Sequence, residues 1–320
     1  MNGRGKANGA VDNQTFTKFL FNRDKGTLLG RTAKSWVEIL GFYLLFYTLL
    51  MSFWISCLLV FLSTLDDRVP RYYGKGTIIG INPGVGYQPW LLDDPDSTLI
   101  RFNIRDKSSY QKYVGKLENY LSKYNNLTAT RVCVGNQSNA QLFTDGNANA
   151  EHLPGDDVIK SCRFELKQFA EAGCSKNNDF GFSEGKPCII LTLNRLIGWR
   201  PVDYEPDSVP EVIRGRYKPK FVTFKCDGTS DFDKEHIGNV TYIPEAGIDG
   251  KYYPYAVMPN YQQPFAMIKF DHLPRNKLVL IECRAFAQNV EQDITSKLGM
   301  VNFEVMLQDI EPENPVEQLR

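Results

Sequence analysis

The sequence predicts a single transmembrane α-helix followed by a mainly β ectodomain, an antiparallel β-sandwich with one flanking helix. Residues 39–65 form 27 consecutive positions without a charge, more than the ~20 helical residues a bilayer core requires. Six of the seven cysteines follow that stretch, as they would in a portion of chain exported to an oxidising exterior. Beyond residue 158 the chain breaks into short apolar or alternating runs separated by Gly, Pro, Asn and Asp, the pattern of a strand-and-turn domain.

The first 35 residues hold seven basic side chains (Arg4, Lys6, Lys18, Arg23, Lys25, Arg31, Lys34) against Asp12 and Asp24, a net +5, so the remainder carries −5 in a chain of zero formal charge. The halves therefore meet different surroundings. A global basic footprint for nucleic acid is absent. We read 1–35 as a cytoplasmic tail, 36–65 as the membrane helix and 66–320 as an extracellular, disulfide-bonded, glycosylated domain. A cleaved leader has an apolar region of only ~7–15 residues close to the start, so the segment is expected to persist as a signal anchor. Trp36, preceded by Arg31 and Lys34, has the character of an interfacial anchor.

Orientation rests on three indications. The flanking charge leans positive on the N-terminal side. Cys133, Cys162, Cys174, Cys188, Cys226 and Cys283 form an even set beyond the membrane, which reads as three disulfides with 15 connectivities open. No pair has C-x₂₋₄-C spacing, and His152, His236 and His272 are scattered, so zinc is not expected. Sequons at Asn126, Asn136 and Asn239 lie in polar stretches on the same side. Together they predict a type II chain, its C-terminus outside, with the sequon at Asn13 left unmodified in the cytoplasm.

Within the ectodomain, 66–105 reads as a stalk and surface loops because of its Gly, Pro and Asp content. Ser108 or Ser109 is placed to cap a helix in which Tyr110, Tyr113, Val114, Leu117, Leu121 and Tyr124 share one face. Seven strands are expected at 163–169, 188–193, 220–226, 253–257, 265–270, 277–287 and 300–307. The acidic end, 311–320, is expected to be disordered.

Catalytic motifs do not hold up in context. Gly181-Phe182-Ser183-Glu184-Gly185 matches G-x-S-x-G, but polar residues precede Ser183 and a strand-like run follows it, the reverse of a nucleophile elbow. Gly181 to Lys186 has too few residues between its glycines for a phosphate-binding loop, and Pro187 replaces the metal-contacting hydroxyl. Asp94-Pro95-Asp96 and Asp231-Phe232-Asp233 could present two carboxylates to a cation. With a signal anchor they evoke a type II Golgi glycosyltransferase, although the domain lacks the alternating helices of a nucleotide-sugar fold. No metal site, cofactor or catalytic residue is expected.

Several segments carry a resemblance. Phe42-Tyr43-Leu44-Leu45-Phe46-Tyr47 is similar to an FYxxFY membrane motif, and GFSEGKPCIILTLNRLIGWRP at 181–201 to EGKPCI, LNR and G-[FW]-x-P signatures. Tyr252-Tyr253-Pro254-Tyr255 with Gln263-Pro264, and Glu282-Cys283-Arg284-Ala285, complete the set. Read in order, these resemble the beta subunits of sodium/potassium-transporting P-type ATPases, and less closely that of the proton/potassium pump. The resemblance implies an Ig-like sandwich and the pairs Cys133–Cys162, Cys174–Cys188 and Cys226–Cys283. It also implies a non-catalytic chain at the plasma membrane, partnered by a catalytic alpha subunit and the lipid bilayer. A small regulatory membrane subunit and adhesion partners on a neighbouring cell are further candidate partners, and an independent adhesion ectodomain is a competing reading. Tyr43 and Tyr47, four apart on one helical face, are the expected alpha-subunit contacts in the membrane. Tyr252, Tyr253 and Tyr255 are candidates outside it, with sandwich core as the equal alternative.

Overall fold

The structure is a computed structural model that describes residues 21–22, 26–65, 70, 72, 76–77, 82–92, 98–126, 130–135, 137–139, 160–255, 258 and 260–311. The sequons at Asn13 and Asn136, the Asp94/Asp96 pair, most of the expected stalk, the end of the 253–257 run and the acidic tail after 311 lie outside these residues. The chain divides into two compact units, 1–66 and 67–320.

The first unit opens with three two-residue strands, β1 (Phe21–Asn22), β2 (Thr27–Leu28) and β3 (Arg31–Thr32), paired antiparallel in that order. They lead into α1 (Ala33–Ser63), 31 residues long, whose N-cap Thr32 accepts a hydrogen bond from the Ser35 amide. At 1.5 Å per residue the helix measures about 46 Å, enough to cross a bilayer. No α1 side chain is buried by the protein itself. An apolar helix without protein cover needs lipid or another chain around it.

In the second unit the elements are β4 (Val85–Gln88), β5 (Leu99–Asn103), α2 (Lys107–Ser122), β6 (Thr130–Arg131), β7 (Ser161–Cys162), α3 (Lys167–Glu171), β8 (Cys188–Leu193), β9 (Phe221–Gly228), α4 (Asp231–His236), β10 (Val240–Ile243), β11 (Ile248–Asp249), β12 (Phe265–Phe270), β13 (Leu278–Phe286) and β14 (Met300–Gln308). One sheet has the order β10-β12-β8-β4 and the other β11-β9-β13-β14-β5. Tyr87 of β4 stacks on Phe303 of β14 at 4.8 Å between ring centres, joining the two inner faces. Phe265, wholly buried, receives Tyr120, Tyr124, Phe164 and Phe169 within 4.6 to 6.2 Å. This interlocked aromatic core is what a sandwich needs, since each sheet is apolar on one face only.

Three bridges staple the unit: Cys133–Cys162, Cys174–Cys188 and Cys226–Cys283, with sequence separations of 29, 14 and 57. On the chain-entropy model each contributes about 3–4 kcal/mol. Cys226 and Cys283 are directly opposed on neighbouring strands β9 and β13, so that bridge ties strands of one sheet together rather than joining the two sheets.

Several local expectations are corrected. Asp106, not Ser108 or Ser109, caps α2: its carboxylate accepts from the Ser108 amide at 2.9 Å. The 163–169 run is no strand, because only Ser161–Cys162 pairs and the chain then turns into α3. At 253–255 there is no strand either: Pro254 has no amide hydrogen to donate, and Tyr255 makes only an isolated bridge to Ile197. Conversely, 66–105 is not all stalk, since β4 and β5 lie within it. Gly86 suits β4 because a Cβ there would sit 3.1 Å from the Thr192 hydroxyl. Nor is the second sheet wholly antiparallel, for β5 runs parallel to β14.

Candidate interaction surfaces

Two surfaces present chemistry to a partner. On α1, spacing of four stacks Tyr43 on Tyr47 at 6.0 Å and Phe42 on Phe46 at 6.2 Å, with edge contacts of 5.5 and 5.4 Å between the rows. Both tyrosines are exposed, and among the described residues neither hydroxyl has a hydrogen-bond partner. The hydroxyls of Thr48 and Ser56, by contrast, donate back to the Leu44 and Ser52 carbonyls at 2.7 and 2.8 Å. The aromatic ladder thus presents two unused hydroxyls on one stretch of the helix. In hydrocarbon such groups favour a neighbouring helix that can accept them.

On the ectodomain, Tyr252 and Tyr253 are buried, each with 7 % exposure, packed edge-on against Phe164 and Trp199 at 5.2 and 5.3 Å. Burial raises the phenol pKa of both Tyr252 and Tyr253 well above the usual range. These rings are core. Tyr255 alone of the segment is partly exposed, and it leans on Tyr261 at 4.9 Å. The Arg195 guanidinium lies 5.6 Å from both rings and donates to Gln263 Oε1 at 3.2 Å. Lys123 sits 3.6 Å from the centre of Tyr120. Partial burial, aided by the Arg195 charge, lowers its pKa to about 8. Neither cation has a carboxylate partner among the described residues. Two unpaired cations framed by Tyr120, Tyr255 and Tyr261 suit an acidic or aromatic-rich partner surface. Arg195 lies in the LNR signature, but nothing in a linear sequence brings Lys123 and Tyr261 beside it.

The remaining motifs are accounted for structurally. Gly181 has φ +77°, and a Cβ there would stand 2.1 Å from the Lys186 carbonyl oxygen. Ser183 only donates to the Asn178 carbonyl at 3.5 Å, within 3-10 turns. Asp233 closes a capping box with Ser230 at the start of α4. Burial pushes its carboxyl pKa up, but hydrogen bonds from Ser230, the Leu280 amide and Thr229 outweigh that and hold it below the usual range. Asn126 and Asn239 are both exposed. The Asn239 amide and the Thr241 hydroxyl both donate to Asp271 Oδ2, at 3.0 and 2.8 Å.

The arrangement is that of one uncovered membrane helix and a stapled sandwich, and the family model of the sodium/potassium ATPase beta chain matches residues 6–303. The chain belongs to that family. It is similar to the probable sodium/potassium-transporting ATPase subunit beta-3 of Caenorhabditis briggsae, 54 % identical over 312 residues, 98 % of this chain and 91 % of that one. It is also similar to the beta-1 subunit of Tetronarce californica, 30 % identical over 311 residues, 93 % of this chain and 96 % of the other. The beta-1 subunit of Drosophila melanogaster is 29 % identical over 307 residues, 92 % and 93 % of the two chains. In this ATPase beta chain the 181–201 signature is scaffold at its first half, where Gly181 and Cys188 set the turn before β8, and surface at Arg195.

Proposed function

We propose that this chain is the non-catalytic beta subunit of a sodium/potassium-transporting P-type ATPase, assembling with the catalytic alpha subunit, supporting its delivery to the plasma membrane and modulating its cation affinity. The family match over 6–303 carries this reading. The uncovered α1 helix supplies its physical content, since 31 residues with no internal burial need neighbours. In this reading the chain is a type II protein with the ectodomain outside. Tyr43 and Tyr47 pack on an alpha-subunit helix and direct their hydroxyls to its polar atoms. Outside the membrane the docking group is Tyr255 with Arg195 and Lys123, while Tyr252 and Tyr253 hold that surface from beneath. Preferential contact with one conformation of alpha would bias its ion-binding equilibrium by the difference in contact energy.

Affinity purification of the full chain in mild detergent tests the proposal. A stoichiometric partner of roughly ten spans is expected, and replacing Tyr43→Ala with Tyr47→Ala should weaken both its recovery and the potassium affinity of the complex. Unchanged recovery and affinity in the double variant would remove the tyrosine face from the mechanism. Absence of any multi-span partner would overturn the assignment.

A further inference from the structure

We infer that the turn at Leu29–Gly30 is a second, interfacial anchor, docking on anionic phospholipid headgroups at the N-terminal end of the membrane helix. The inference rests on α1 spanning a bilayer, and three observations carry it.

The turn has the wrong residue for water. β2 and β3 pair with Leu28 opposite Arg31, leaving Leu29 and Gly30 as a two-residue loop with φ of 50° and 76°. Such a loop needs positive φ at both positions, and Asn or Gly normally supplies the first. A leucine is strained there. Its side chain is 42 % exposed, next to Leu28 at 51 %. An apolar, strained and uncovered turn is hard to explain facing solvent and simple to explain facing lipid.

The turn is also held at the right depth. The Trp36 indole nitrogen donates to the Leu28 carbonyl at 2.9 Å, so the loop lies at the level of that ring. Trp36 is three residues, or about 4.5 Å of helix, from Ile39, where the uncharged stretch begins. Tryptophan favours this headgroup boundary. Because 27 uncharged residues exceed the hydrocarbon thickness by about 10 Å, the boundary can move outward onto the turn.

Charge selects the lipid. Among the described residues the Arg31 guanidinium has only the Ser35 hydroxyl as partner, at 3.4 Å, and Lys34 stands 4.0 Å from Glu38 in an exposed pair. Cations beside exposed leucines form the combination that holds peripheral segments to acidic leaflets.

The test uses the full chain with Cys57→Ser, carrying a spin label at Leu29→Cys or Leu28→Cys, in bilayers with and without phosphatidylserine and without other protein. Collision with oxygen against a water-soluble nickel chelate reads depth. The expected result is protection from nickel at both positions in phosphatidylserine bilayers, shifting toward water in neutral lipid, with Arg31→Gln, and with Trp36→Phe. Nickel access equal to that of a label at Ile310 would overturn the inference, as would protection that develops only when an alpha subunit is present. A label at Leu44 separates the two readings. If it too is open to nickel, the spanning helix itself is wrong.

Discussion

Gly181 shows how much a single backbone position can decide. Its φ of +77° and the 2.1 Å approach of the Lys186 carbonyl leave no room for a methyl group. Gly181→Ala is therefore expected to destabilise the ectodomain by about 2–3 kcal/mol, read as a lower thermal midpoint with the bridges intact. Lys123 provides a second test. Burial against Tyr120 and the Arg195 charge lower its pKa to about 8 from 10.5. The unfolded chain binds that proton more tightly, so the shift opposes folding fully below about pH 8, and the opposition fades as pH rises toward 10.5. Amine acylation of the native ectodomain should label Lys123 first, with a midpoint near pH 8. Labelling at the same rate as the exposed lysines would remove the case for its altered surroundings. Cys188 and Arg195 could be located from motif alone, and Tyr120 and Lys123 are neighbours three apart at the end of α2, whereas the approach of Arg195 to them arises only when α2 and the chain after β8 are brought together.

At the scale of elements, the long uncharged helix and strands β8, β12, β13 and β14 could be read directly, because the helix, β8 and β12 are nearly unbroken apolar runs and β13 and β14 largely alternate between buried and less buried positions. β5 escaped such a reading although Ile100 and Phe102 alternate inward, since the residues before it are dominated by turn formers. The run at 253–255 misled for the opposite reason. Aromatic content mimics a strand, but Pro254 cannot join a ladder, and Tyr253 plugs the core while Tyr255 stays partly exposed. Phe265 at the start of β12 is the position where four other rings converge. Phe265→Ala should cost about 3–5 kcal/mol, enough to prevent accumulation of folded ectodomain at 37 °C if the domain has ordinary stability. Secretion of the variant at the native level would show that the aromatic cluster contributes little.

At the scale of the molecule, exposed Asn126 and Asn239 stand on the same ectodomain as the three disulfides. Expression in a secretory host should add glycan mass removable by amidase at these two positions and none at Asn13. Modification of Asn13 would reverse the topology. Two features of this scale lay beyond the sequence: which cysteines pair, left open by spacing, and the parallel partnership of β5 with β14, which no local pattern encodes.

That partnership has a temporal consequence. The last strand lies between β13 and β5, and the residues around the junction are pinned together, Arg105 and Arg275 on Asp309 and the Asn103 amide on the Ile310 carbonyl at 2.7 Å. Synthesis must therefore pass residue 308 before the larger sheet can close, because the strand that joins β13 to β5 is made after both and must find an edge synthesised some two hundred residues earlier. Until β14 is made, that edge stays open to other strands. Termination just ahead of Met300 would leave that edge permanently vacant, so β14 is the latch on which completion of the larger sheet waits.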